Sequence, residues 1–455
     1  MNGKQWILAS AAVAFAFVFG AHTMEGGSSA PPVTFSMNPS GAVETYAPHG
    51  IDVNNPFFRP LGHNGRACAS CHSPADGFTI TPAKVQQRFA STNGTDPIFR
   101  ASDGAVCPTA DVSTLSKRKN AYALLLTKGL IRMHRAIPAN ADFQLVSIDD
   151  PYHCATAKNL SLYRRPLPTT NLRFLSSVTW DARESGHPGR DITGDLNAQA
   201  TAAVVEHEQP STAPSASVIK QIVAFEQSLT TAQAVDFRAG TLDTSTVSGG
   251  VWPLLNQRFY RGMNDWMGKD PTGAAFDPNA FKLYTSWSKE NGTSTMAKAR
   301  TSVARGEDIF NNFPLFIYSV AGLNDVSGQS VIMGSCSTCH DAPNVGSISR
   351  NLPMDIGVSD ALQRTPDMPL YTFLCKSTGV TVQTTDPGRA LITGKCADMS
   401  KFKSPGLRAL ASHAPYFHNG MAKDLGAVID FYNARFDMNL SDQQRADLIA
   451  FLRTL

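Results

Sequence analysis

Cys68-Ala69-Ser70-Cys71-His72 and Cys336-Ser337-Thr338-Cys339-His340 are two copies of one five-residue pattern. Two thiols three residues apart, followed at once by an imidazole, are the groups that tether and ligate a c-type haem. Each thiol adds across one vinyl group of the porphyrin. On a helical turn, positions i and i+3 share a face, so both sulfurs reach the ring edge. The adjacent histidine then offers a ring nitrogen to the iron. A zinc half-site or a redox dithiol also uses Cys-x-x-Cys, and two copies could assemble a four-cysteine zinc site. The histidine directly after each second cysteine favours two covalently bound haems.

The elements that must position these groups are spread over 455 residues, a length for about two to three domains. Hydrophobic residues make up 42% of the chain, enough for packed cores. A net charge of +3 is small for this size, so nothing in it points to a nucleic-acid or membrane partner. Residues 1–23 read as a secretory signal, with Lys4 ahead of the apolar run Trp6 to Gly20. That run is short for a membrane span, so the membrane enters only if the signal stays uncleaved. The expected compartment is the periplasm. There, Cys107 with Cys154 and Cys375 with Cys396, one pair in each half, are expected to form disulfides; buried free thiols are the alternative.

The two halves repeat. Ile222-Val223-Ala224-Phe225-Glu226-Gln227-Ser228-Leu229 matches Leu448-Ile449-Ala450-Phe451-Leu452-Arg453-Thr454-Leu455 in its apolar positions, at helical spacing. Ser441-Asp442-Gln443-Gln444 is a start signal for the second of these helices. The expected fold is mainly α, two cytochrome-c-like haem domains with long loops, because strand signals are weak and Gly, Pro and Asn punctuate the chain. The expected organisation is a signal at 1–23, a loose arm at 24–50, an N-terminal haem domain at 51–232, an insertion at 233–298 and a C-terminal haem domain at 299–455. The insertion holds Trp252, Trp266 and Trp287 and is placed to pack across both units.

Several segments in fixed order carry a family resemblance. They are Gly62-His63-Asn64-Gly65-Arg66-Ala67, Trp180-Asp181-Ala182-Arg183, Lys403-Ser404-Pro405-Gly406-Leu407-Arg408 and Ala414-Pro415-Tyr416-Phe417-His418-Asn419-Gly420, beside the two haem motifs. With these the chain, from about residue 51 onward, resembles the bacterial dihaem cytochrome c peroxidases and their methylamine-utilisation relative, which oxidises a partner protein. The resemblance implies an enzyme that reduces hydrogen peroxide at the N-terminal haem, with electrons relayed through the C-terminal haem. It implies Trp180 as the aromatic between the haems, although Ala182 stands where the family has glycine. The electron source would be a small protein such as a cytochrome c or a cupredoxin, or a protein substrate. A peroxide-dependent oxidase of a partner's aromatic residue and a dihaem electron carrier are the alternatives. A homodimer is compatible with the resemblance.

Subtype rests on the far side of each iron. Many family members place a second histidine about sixteen residues after the first haem histidine; here Gln86-Gln87-Arg88-Phe89 stands there, which implies an open iron. His134 or His153 could reach it only from distant loops. An open iron needs an acid/base group. Gln199 matches the family's glutamine, and Glu208, with His207 second, is the expected proton carrier, although the spacing departs from the family's. The family's second ligand to the C-terminal haem lies fourteen residues after its Tyr-Phe-His histidine; counted from His418 that position is Tyr432, which the resemblance implies as the ligand opposite His340, with Met421 and Met438 as alternatives. The resemblance also implies a calcium ion held by Asn120 and the carbonyls of His413 and Pro415.

Overall fold

The matched segments lie on two helices, Ala216–Ser228 and Asp442–Leu452, each capped by a serine. The second starts in a capping box: Ser441 Oγ accepts from Gln444 N at 3.2 Å, and Gln444 Oε1 accepts from Ser441 N at 3.0 Å. The computed structural model describes residues 33–455, so the signal reading at 1–23 lies outside the described residues. Among the described residues no helix is long and apolar enough to cross a membrane.

Each closing helix packs on a partner from its own half. Ile219, Ile222 and Val223 bury against Leu196 and Ala200 of the helix Ile192–Ala203. Phe451 and Leu448 bury against Val303 and Phe310 of the helix Thr295–Asn312. There Gly306 lies against the Asp447 carbonyl, so close that a Cβ would collide with it. Each of these fully buried apolar side chains contributes about 1.5–3 kcal/mol of burial.

The expectation of a mainly α fold is not met. About 32% of the structure is helix and 17% strand, in several small sheets. The strands sit in the connections that read as long loops. Leu370–Cys375, for instance, alternates half-buried and buried positions, the period-2 signature of a strand. It pairs antiparallel with Phe143–Asp149 and with Thr381–Thr384, so one small sheet joins the two halves.

The arm expected at 24–50 is also ordered from residue 33 on. Val33–Asn38 and Gly41–Tyr46 form a hairpin whose second strand pairs antiparallel with Thr230–Asp236. Buried threonines stitch it down: Thr45, Thr231 and Thr170 link hydroxyl to hydroxyl at 2.9 and 2.7 Å. The boundary expected at 232/233 falls inside that strand. Beyond it, Leu242, Phe281, Tyr284 and Trp287 bury in the same core as the helices Thr295–Asn312 and Asp442–Leu452. Cys107 is bonded to Cys154 and Cys375 to Cys396, with Cα–Cα separations of 5.8 and 5.7 Å.

Candidate haem sites

Both pentapeptides fold into the same turn. A single 3₁₀ turn runs Cys68–Ser70 and Cys336–Thr338. The histidine N–H closes on the first cysteine's carbonyl, at 2.9 Å from His72 and 3.0 Å from His340. The residue before the second cysteine caps the turn: Ser70 Oγ accepts from Ala67 N, and Thr338 Oγ1 from Ser335 N, both at 3.0 Å. All four motif thiols are free of disulfides.

Each histidine is oriented as a haem ligand requires. His72 Nδ1 lies 3.3 Å from the Phe78 carbonyl, and His340 Nδ1 lies 2.6 Å from that of Gly346. A carbonyl can only accept, so Nδ1 carries the proton and Nε2 keeps its lone pair for a metal. Burial holds His72 down to about 4, and the Phe78 bond offsets this only partly. Burial likewise lowers His340. The neutral imidazole is the ligating form.

A cavity of about 240 Å³ opens beside the first motif. Cys68, Cys71, His72, Trp180, Gln199 and Glu208 all line it, as does His207. Its far wall, with Lys403 and Arg408, comes from the C-terminal half. An apolar lining with free thiols, a preset imidazole and basic side chains for the two propionates fits a c-type haem. The motif cysteines divide between separate apolar clusters, so a four-cysteine zinc site is not formed. Among the described residues no group of three or more His, Cys, Asp or Glu could hold a metal ion.

The acid/base residues arrive on a π-turn, Val204–Glu208, that extends the helix Ile192–Ala203. Such turns occur often at functional sites because they re-aim side chains. Gly62 permits the fit, since a Cβ there would strike the Glu208 carbonyl. Glu208 is buried, and its Oε2 accepts from Leu61 N at 2.7 Å. Oε1 lies 3.8 Å from Cys68 Sγ. Burial pushes this carboxyl up, and the Leu61 N–H only partly offsets it. His207 turns to Asp103, with Nδ1 at 2.7 Å from Oδ2. Arg66 completes that chain by pairing with Asp103.

Trp180 links this cavity to the other half. Its Nε1 donates to the Arg165 carbonyl at 2.8 Å. Its ring meets His418 edge-on at 6.2 Å, and His418 stacks on Phe402 at 4.0 Å. Trp180 packs with Phe431, Phe417 and Tyr432 against one apolar cluster. Tyr432 also packs against the cluster that holds Cys336 and Cys339. Burial, with the adjacent thiols of Cys339 and Cys336, pushes its phenol above the usual range. Met438 is buried in that cluster, and Met421 packs with Tyr432 on the Trp180 side.

Other expected groups are not brought in. His134 and His153 are exposed and do not line the cavity. Asn120 is exposed on the helix Leu115–Ala121, and its side chain makes no hydrogen bond to His413 or Pro415. The carbonyls of His413 and Ala414 instead accept from Arg165, at 3.2 and 3.5 Å. Arg165 thus engages the His413 carbonyl that the calcium reading uses. Two features went unread in the sequence. Arg164 bridges Asp181 and Asp386 through bonds of 2.6 to 2.9 Å. Glu226 lines the cavity from the helix Ala216–Ser228.

The fold and site thus define a chain organised around covalent haem. No family model matches it. Among curated proteins, Cytochrome-c peroxidase IdrP2 of Denitromonas iodatirespirans is 33% identical over 133 residues, 27% of this chain and 36% of that protein. Cytochrome-c peroxidase IdrP1 of a Pseudomonas species is 27% identical over 229 residues, 46% of this chain and 52% of its own. Methylamine utilization protein MauG of Methylorubrum extorquens is 26% identical over 196 residues, 39% and 47% of the two chains. These names match the resemblance read from the motifs, and they imply c-type haem as cofactor. The chain spans about a third to a half of the length of these relatives. A solved MauG-like protein associated with microbial copper homeostasis is similar over 88% of this chain and 86% of that one, at 16% identity and a TM-score of 0.40.

Proposed function

We propose that this chain is an exported dihaem oxidoreductase that reduces hydrogen peroxide. His72 and His340 would each ligate one haem iron, and Cys68, Cys71, Cys336 and Cys339 would tether the porphyrins. When bound, the haems supply the redox-active irons and a path for electrons. The remaining work falls to the protein. Glu208, raised by burial, moves a proton from one peroxide oxygen to the other. Its Leu61 N–H bond fixes where that carboxyl sits. The Asp103–His207–Arg66 chain holds the π-turn against the body. Lys403 and Arg408, which line the cavity, would offset the charge of the propionates. Trp180 carries electrons from the C-terminal half, supplied by a small redox protein. The overall balance is H2O2 + 2e⁻ + 2H⁺ → 2H2O.

One observation carries this reading: Trp180 lines the same cavity as His72 and Glu208 and also packs in the cluster that contains Tyr432. A second reading draws on Tyr432 itself. If Tyr432 helped hold the C-terminal haem, its oxygen would favour oxidised iron, which suits an oxidase of a partner protein's aromatic residue. Stoichiometric peroxide added to the oxidised protein separates the two. Fast turnover with reduced cytochrome c supports the peroxidase. A long-lived oxidised state with poor turnover supports the partner oxidase. Spectra unmoved by peroxide refute both.

A further inference from the structure

One buried carboxyl in the cavity takes no part in the chemistry above. Glu226 is 4% exposed, and its Oε2 has no hydrogen-bond partner. It shares its helix face with Ile222, one turn earlier, and both line the cavity. The matching position in the other half is Leu452, a buried aliphatic residue. The half with the open cavity therefore carries an acid where its twin carries a hydrocarbon. An isolated buried carboxylate is costly, and an unsatisfied buried polar group calls for an explanation.

Few charges surround it. The titratable groups on the elements packed around it are Cys68 on the motif turn, Glu208 and His207 on the π-turn, Asp195 on the helix Ile192–Ala203, and Arg173 on the turn Leu172–Phe174, whose guanidinium donates to the Leu254 carbonyl at 2.7 Å. Asp195 is paired with Arg190 and Arg261. Glu226, Glu208 and Cys68 all line the one cavity, with Glu208 Oε1 3.8 Å from the Cys68 sulfur. Burial alone pushes Glu226 up to about 8, which keeps it neutral and proton-bearing at neutral pH.

We propose that Glu226 is a second proton-delivering residue of this cavity, working beside Glu208. The proposal rests on the peroxide-reducing reading. Glu208 moves the peroxide's own proton onto the departing oxygen as the O–O bond breaks, and the first water leaves. The other oxygen takes up two electrons from the donor protein and two protons. Glu226 delivers one of those protons and solvent the other. The Glu226 carboxylate then recovers its proton from solvent.

The test compares the haem-loaded wild type with Glu226→Gln and Glu226→Leu, the latter copying the twin position. Infrared spectra of the oxidised proteins should show a buried carboxylic-acid band that fades as pH rises through about 8 and is absent from both variants. Glu226→Gln should lose turnover with reduced cytochrome c by on the order of a hundredfold, while Glu208→Gln keeps the band. A band that survives in Glu226→Gln, or wild-type turnover in both variants, overturns the proposal. A wild type that leaves peroxide unreduced is the failure of the peroxidase reading instead, and it removes the delivery step with it.

Discussion

Arg164→Met should destabilise the folded protein in a pH-dependent way. Arg164 is 4% exposed and joins Asp181, fully buried, to Asp386, 4% exposed. The link crosses from the N-terminal to the C-terminal half. Removing one partner of a buried ion pair costs about 3–5 kcal/mol, because it strands the remaining charge. Arg183 stays 3.2 Å from Asp181, so the lower end, about 3 kcal/mol, is expected. In the wild type, burial alone would raise the Asp181 carboxyl. The Arg164 guanidinium, followed by Arg183, outweighs burial and holds the carboxyl well below its usual range. Its folded pKa is therefore depressed, and its contribution is present above the unfolded value near 4. That contribution is lost as pH falls below this value. In the variant the largest opposing charge is gone and Arg183 leads those left against burial, so the folded pKa of Asp181 rises. The deficit against the wild type then shrinks as pH falls from 7 toward 5. Urea unfolding of the haem-loaded protein, followed by tryptophan fluorescence at both pH values, reads the difference. A loss below about 1 kcal/mol, or a loss equal at pH 5 and pH 7, would refute the reasoning.

Three further outcomes are expected. Glu208→Gln should cut kcat for peroxide by about 10²–10³-fold while leaving the haem absorption of the oxidised protein in place; unchanged kcat would remove Glu208 from the chemistry. Tyr432→Phe should change the absorption and paramagnetic resonance of one haem only; an unaltered spectrum would refute ligation by Tyr432. Replacing Cys107 and Cys154 together by serine should lower the unfolding free energy by about 4 kcal/mol, since the bond closes a loop of 47 residues. Calorimetry of the two proteins checks this, and equal melting temperatures would exclude it.

Much of the first site was legible because it is local. The thiols and imidazole of each motif act within one turn, and the turn's cap comes from Ser70 or Thr338 inside the same five residues. Trp180, Gln199, His207 and Glu208 were found by resemblance, and they do line one cavity. The calcium residues came from resemblance alone, and nothing local in the sequence reveals that Arg165 donates to the His413 carbonyl. The fold class was misread for a related reason. The pairing of Phe143–Asp149 with Leu370–Cys375 is long-range, and neither strand signals strongly alone.

By itself the sequence determined the haem chemistry, since covalent tethering needs only residue types at fixed short spacing. It also determined the two closing helices, whose apolar period is a local property. Tertiary structure alone decided what surrounds that chemistry. The hairpin Val33–Tyr46 exists because the strand Thr230–Asp236 accepts it. Glu226 reads in sequence as one polar residue on an amphipathic helix. Only packing makes it an unpaired acid in a cavity, because burial and missing partners are properties of everything around a residue rather than of the residue itself.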